Sequence, residues 1–399
     1  MLGRPPAQGV HEADIIRVGT SDLFEDWKFA GGFRLSPDLK NNEYVFTTQY
    51  LKKRIDYGFT YYRNTMKINQ IFASNPSMAF LSKEFSNLYQ ATVTYPFSRI
   101  QSLRLNLAMR RDKYVVLTDK DQPQSLTIPD GKVSTALAHL EFVHDDVINP
   151  ATNIWYGLRW KVYTDVNAEV SNKFGTTKNQ EHPFTMNVGF DARHYLPIYR
   201  NVIWAVRAAG DFSWGKQKLI YFLGGVDNWL MFGKNQKVDK NGNIIYRYLN
   251  PDNIPDPATN YAFQSLAVNL RGFLQNTANG NNALVINSEV RAPVFSSFFN
   301  KPINNAFLRN FQVVQFIDLG TAWNGNFNKI ARPTVTYSSI GNPIAVKIKA
   351  GGVGPFAGGY GFGARSTLLG YFLRFDAGWE MNGFFRGKPK YYFAMGLDF

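Results

Sequence analysis

The imidazoles of this chain are His11, His139, His144, His182 and His194. None of them falls at a spacing that holds a metal ion. Cysteine is absent, which removes disulfides, thiolate metal sites and thiol nucleophiles. A hydrolase of the serine type needs a hydroxyl and an imidazole within hydrogen-bond reach. Ser213 and His194 lie on alternating stretches that turn them to opposite faces. The stretch "GGVGPFAGGYGFG" is glycine-rich but lacks the Lys-Ser/Thr pair that completes a phosphate loop. There Gly361 and Gly363 alternate with Tyr360 and Phe362, the pattern of a strand with one slim side. These residues predict no enzyme, no metal and no cofactor. One further group stands out, Arg271 in "NLRGFLQ"; alone it reads as a solvated loop arginine.

The elements that must position such groups are strands. Period-two alternation recurs almost end to end, and about fourteen strands are legible. In one, Leu103, Leu105, Leu107 and Met109 oppose Arg104, Asn106, Arg110 and Asp112. In another, Leu284, Ile286, Val290 and Val294 oppose Asn287, Glu289 and Arg291. Near the end, Tyr371, Leu373, Phe375, Trp379 and Met381 oppose Arg374, Asp376 and Glu380. Clusters such as "NPATN" and "SPDLKNN" separate the strands. No convincing helix, repeat or interdomain linker is visible. Residues 216–280 break the rhythm: a short strand fits "LIYFLGG", and the rest reads as a long loop, which is usually functional or disordered.

The formal net charge is +14. Lys and Arg are scattered, without a basic block or a nucleic-acid-binding spacing, so nucleic acid is not an expected partner. Attraction to anionic lipid headgroups or acidic proteins is the better use of the charge. No run of 18 apolar residues exists, so no helix crosses a membrane. Strands of a membrane barrel need no such run, because they alternate lipid-facing and lumen-facing residues.

Three features favour a transmembrane barrel over a soluble sandwich. The strands are too many for one sandwich. Aromatics recur towards strand ends on the apolar face (Trp27, Trp204, Trp214, Tyr371, Trp379, Tyr391), as in interfacial girdles. The polar face mixes opposite charges with Asn and Gly, while an Arg or Lys on the lipid face costs roughly 2–4 kcal/mol at the midplane. Arg111 and Lys113 break that rule and are expected near a rim. The expected fold is all-β: a transmembrane antiparallel β-barrel of about 16 strands (14–16), with a long lumenal loop between residues 216 and 280. Residues 27–399 form the barrel, and 1–26 an N-terminal extension or an incomplete first strand.

The chain ends "YYFAMGLDF". Tyr391, Phe393, Met395, Leu397 and Phe399 share one face, and Tyr392, Ala394, Gly396 and Asp398 the other. In hydrocarbon every strand edge must be paired, so a closing strand must stay apolar outside to its last residue.

Four elements in order resemble the bacterial outer-membrane barrels of the BamA and TamA type, the bacterial surface antigen superfamily. They are "NLRGF", "NNALVINSEVRAPVF", "VVQFIDLGTAW" and "GYGFGARSTLLGYFLRFDAG". The likeness covers about residues 200–399, and "EFVHDDVINPATNIWYGLRWKV" extends it weakly. The resemblance implies that the loop folds into the lumen and that Arg271, Gly272 and Phe273 form its arginine-glycine-aromatic motif. It makes Glu289 and Asp318 the acidic wall partners, and the strand ending in Phe399 an insertion signal. It also implies an integral protein of a Gram-negative outer membrane. Its surroundings would be lipid and lipopolysaccharide, its partners client polypeptides or envelope proteins. Its work would be insertion or translocation of polypeptides through a lateral seam. The alternative is a passive or plugged channel, receptor or scaffold barrel within a larger envelope complex. The soluble periplasmic modules that members carry before the barrel do not lie in this sequence. A fragment, or a member that works through separate subunits, is therefore expected.

Overall fold

The computed structural model describes residues 16–35, 41–71, 79–117, 127, 129–173, 182–238, 244–259, 261–266, 269–299, 303–337 and 346–397. The chain is all-β, and seventeen strands belong to one sheet. Packing divides it into two units: the described residues up to Phe142 with Tyr163–Met186, and Val143–Val162 with the rest. The sequence carries no mark of this division, because it falls inside strands rather than in a linker.

The first unit begins with β1 (Ile16–Ser21), β2 (Trp27–Leu35), β3 (Asn42–Tyr50), β4 (Asp56–Ile71), β5 (Ala79–Pro96) and β6 (Gln101–Val116). Each pairs with the next, antiparallel. β1 lies inside the stretch expected as an extension or incomplete first strand, and its Ile16 pairs with Phe33. Most of β7 (Gly131–Asp145) and the second half of β9 (Ile154–Lys173) complete this unit. On one face Phe29, Phe46, Phe59 and Leu107 are exposed; on the other Ser82, Asp112 and Glu141 are buried. Groups on that face are bonded across strands: Arg104 donates to Glu141 at 3.2 Å and Thr92 to Asn106 at 2.8 Å. Arg111 and Lys113 are exposed near the end of β6, where Asp130 pairs with Lys113 at 2.7 Å.

The second unit holds β8 (Ile148–Ala151), most of β10 (Phe184–Tyr199), and β11 (Val202–Gly215). The loop after β11 carries β12 (Lys218–Leu223), β13 (Gln236–Val238), β14 (Ile244–Tyr246), β15 (Tyr261–Leu266) and β16 (Ala278–Gly280). The sheet resumes with β17 (Asn282–Pro293) and β18 (Gln312–Trp323). β19 (Thr334–Tyr337), β20 (Val346–Lys349) and β21 (Gly352–Val353) precede β22 (Phe356–Leu368), β23 (Tyr371–Glu380) and β24 (Lys390–Met395). β11, β17, β18, β22, β23 and β24 pair in that order, all antiparallel.

Three details differ from the sequence reading. Residues 216–280 are built rather than loop-like: β12 pairs parallel with β15 and antiparallel with β16. Pairing across so long a separation leaves no hairpin signal in the sequence. Two helices, α1 (Val294–Phe298) and α2 (Ala306–Arg309), join β17 to β18. Neither completes two turns, so no 3.6-residue period can show. The last strand, expected over 391–399, stops at Met395, where Gly396 turns to a φ of 123°.

The polarity of this unit is inverted as well. Trp204, Ile317, Phe362 and Phe375 are exposed, whereas Glu289, Arg291, Asp318 and Arg365 are at most 1% exposed. A sheet bathed in water on its open face shows the reverse.

Candidate functional site

Alternation and register bring the buried charges together. β17 and β18 pair with Asn287 opposite Asp318 and Glu289 opposite Phe316. Residues 287, 289 and 291 therefore share a face with 316 and 318. β22 adds Arg365, opposite Gln312, and β23 adds Asp376, opposite Gly363. The loop from β11 returns over this face, and within it Gly225 bridges Leu270.

Arg271 sits at the centre of these groups. Its Nε donates to Asp318 Oδ2 at 2.7 Å, its Nη2 to Asp318 Oδ1 at 2.8 Å, and its backbone amide to Asp318 Oδ2 at 3.0 Å. Its Nη1 donates to Glu289 Oε1 at 2.6 Å and lies 3.6 Å from Asp376. The guanidinium lies over the Phe316 ring at 3.7 Å, a cation–π arrangement. Glu289 is shared further: Arg365 reaches it at 2.7 and 3.1 Å and Arg291 at 2.8 Å. A two-pronged arginine–carboxylate pair is the strong and directional form of an ion pair. Buried, it is costly to break from one side, at about 3–5 kcal/mol.

The two residues after Arg271 complete the fit. Gly272 has a φ of 95°, and a Cβ there would lie 2.7 Å from the Trp379 carbonyl oxygen. A side chain at Gly359 on β22 would overlap the Arg271 carbonyl. Phe273 is 1% exposed and joins a cluster with Leu223, Leu270, Val285 and Ala357. Tyr392 of β24 holds the motif from the other side. It accepts the Gly272 amide at 2.8 Å and donates its hydroxyl to the Phe273 carbonyl at 2.8 Å.

All five residues of the loop motif and its acidic partners are thus in one assembly. The closing-strand residues are not part of it. Tyr391 and Met395 are exposed, Phe393 is half-buried, and Leu397 is exposed beyond the strand end. Phe399 lies outside the described residues. Sequence reasoning assigned no role to Tyr392, Arg365, Arg291 or Asp376. Their parity was the available signal: each sits on the polar face, and Tyr392 is the one large side chain among Ala394 and Gly396.

A second tie links the loop to β23. Arg374 Nη2 donates to the Asp227 carbonyl at 2.9 Å, and the Asp227 amide donates to Asn269 at 2.5 Å. Burial pushes the Asp227 carboxyl above its ordinary range, against the pull of Arg207, Arg374 and Arg193. Ser213 is buried with its Oγ accepting the Leu219 amide at 2.8 Å, while His194 is exposed. The arginine assembly presents no nucleophile beside a base. What it can do is hold a loop against a sheet.

The sequence matches no family model and no curated protein. Solved structures are similar to it only at low identity. BamA from Haemophilus ducreyi lacking POTRA domains 1–3 is 12% identical, with a TM-score of 0.47 over 95% of this chain and 68% of that one. CdiB from Acinetobacter baumannii is 11% identical, with a TM-score of 0.43 over 96% of this chain and 55% of that one. CdiB from Escherichia coli is 12% identical, with a TM-score of 0.42 over 94% and 57%. The chain therefore spans little more than half the length of the two CdiB chains it is similar to.

Proposed function

We propose that this chain is an outer-membrane β-barrel of the BamA and TamA type. Its apolar face meets lipid and its polar face encloses a lumen occupied by the loop. In this reading it aids insertion or translocation of polypeptides at a seam beside β24. The inverted polarity of both units supports the membrane setting, since exposed aromatic and aliphatic side chains need an apolar surrounding. The observation that carries the functional part is the Tyr392 contact. It ties the tip of the loop, through the buried Arg271 assembly, to the strand that borders the seam.

No bond-making chemistry is required of it. A sheet edge that opens offers backbone donors and acceptors to an incoming strand. The loop keeps β22, β23 and β24 in register while that happens. The test is folding of a urea-unfolded outer-membrane barrel into liposomes with and without the protein. Acceleration that is lost in Arg271→Ala supports the proposal. No acceleration, together with a large steady conductance of the unmodified protein, would replace it with a passive channel.

A further inference from the structure

The loop contains a run that its surroundings do not explain. Trp229, Leu230, Met231 and Phe232 are four consecutive large apolar residues, followed by the polar stretch "GKNQK". Such a run in a loop needs something to lie against. It lies on the edge of β24 that faces away from β23. Leu230 donates its amide to the Phe393 carbonyl at 2.8 Å, and Met395 donates to the Asn228 carbonyl at 3.4 Å. Trp229 and Ala394 thus form an antiparallel bridge, the pair left between two hydrogen bonds.

Side chains continue the match on both faces. The Trp229 ring lies 4.8 Å from that of Tyr392, over the small Ala394. Phe232 lies 6.2 Å from Phe393 on the opposite face. Upstream, Asp227 is fastened by Asn269 and Arg374; downstream, Met231 and Phe232 are 42% and 66% exposed. The segment is tied at its start and again at Phe232, whose carbonyl accepts the Tyr248 hydroxyl at 2.7 Å, and two backbone hydrogen bonds hold it to the strand.

We propose that residues 228–232 are a built-in occupant of the β24 edge, and that they copy the partner this edge takes: an extended polypeptide segment with an aromatic side chain opposite Ala394. Phe393 and Met395 offer a backbone acceptor and donor that a lipid chain cannot satisfy, whereas a strand can. Ala394 leaves the room above Tyr392 that an aromatic ring fills. The inference rests on the seam reading above, and its test measures peptide binding separately from client insertion.

The chain has no cysteine, so Trp229→Cys with Ala394→Cys gives a single possible disulfide. Bridge pairs of this kind bring Cβ atoms within disulfide reach. The probe is a fluorescent peptide of residues 226–233, titrated by anisotropy against the full chain in detergent micelles. Leu230→Pro removes the donor to Phe393, so the variant should bind the peptide about tenfold more tightly than the unmodified chain. The oxidised double-cysteine variant should not bind it, and reduction in the same sample should restore binding. A peptide with Ala in place of Trp should bind about tenfold more weakly. Equal binding by Leu230→Pro and the unmodified chain, or by the oxidised and reduced forms, overturns the proposal. If the peptide behaves as expected while oxidation leaves client insertion unchanged, the occupant stands and the seam function falls. If oxidation stops insertion but the peptide is indifferent, the seam stands and the occupant falls.

Discussion

Tyr392 and Gly272 meet across a gap of 120 residues in sequence, with the Gly272 amide donating to the tyrosine hydroxyl at 2.8 Å. The same hydroxyl donates to the Phe273 carbonyl. One side chain of the last strand therefore satisfies two buried backbone groups of the loop tip. Tyr392→Phe keeps the ring and removes both bonds. Leaving a buried group unpaired costs about 1–3 kcal/mol. The expected outcome is a lower thermal midpoint in detergent, with faster hydrogen exchange confined to residues 270–274 and β24. An unchanged exchange pattern would show that the contact holds nothing.

Arg271 and Asp318 should behave as one unit. Arg271→Ala leaves the buried Asp318 without its cation, while Glu289 keeps Arg365 and Arg291, at an expected cost of about 3–5 kcal/mol. Arg271→Lys should recover little of it, because an ammonium cannot make the two-pronged contact. In a double-mutant cycle with Asp318→Asn, the two losses should fall well short of additive. Additive losses, read from denaturant midpoints, would mean that the two side chains act independently.

The exposed face is predicted to meet hydrocarbon. Ile317 and Asp318 are neighbours on β18 with opposite exposure. Ile317→Arg should reduce folding into lipid vesicles by roughly 2–4 kcal/mol if it lies near the midplane. The same substitution at Leu369, an exposed residue in the turn between β22 and β23, should have little effect. Folding yields in vesicles of defined thickness give the comparison.

Asp227 carries a pH dependence whose sign follows from burial. Its carboxyl holds a proton in the folded chain to higher pH than in the unfolded chain. The stability it contributes is present below the ordinary carboxylate value and declines as pH rises through the raised one. Asp227→Asn keeps the backbone contacts and cannot ionise. Thermal midpoints measured from about pH 4 to 8 should favour the variant increasingly as pH rises. Parallel curves would contradict this.

Much of the fold is legible because strands with one apolar, exposed side and one polar side alternate. Leu103 to Met109 and Leu284 to Val290 show it without help from any neighbour. The boundaries of β24 are less so, since Gly396 alone decides where the strand stops. The loop is the hard part: its order comes from β12 pairing with β15 and β16, distant partners that local pattern does not encode. Within the site, Glu289 and Asp318 could be placed by parity. Arg271 needed the resemblance, because a loop arginine has no periodicity to orient it. Tyr392 was visible only as the odd large residue on a slim face. The segment 228–232 looked like loop, since two hydrogen bonds make no strand.

The central claim is that polypeptides are handled at the outer edge of β24. A photo-crosslinking residue at Phe393, which borders that edge, and one at Ile317, exposed on β18 away from it, put this to a direct test during insertion of an unfolded outer-membrane barrel polypeptide. Crosslinks to the client from position 393 and not from 317 are predicted. Equal crosslinking at both positions, or none at 393 while insertion proceeds, would contradict the proposal.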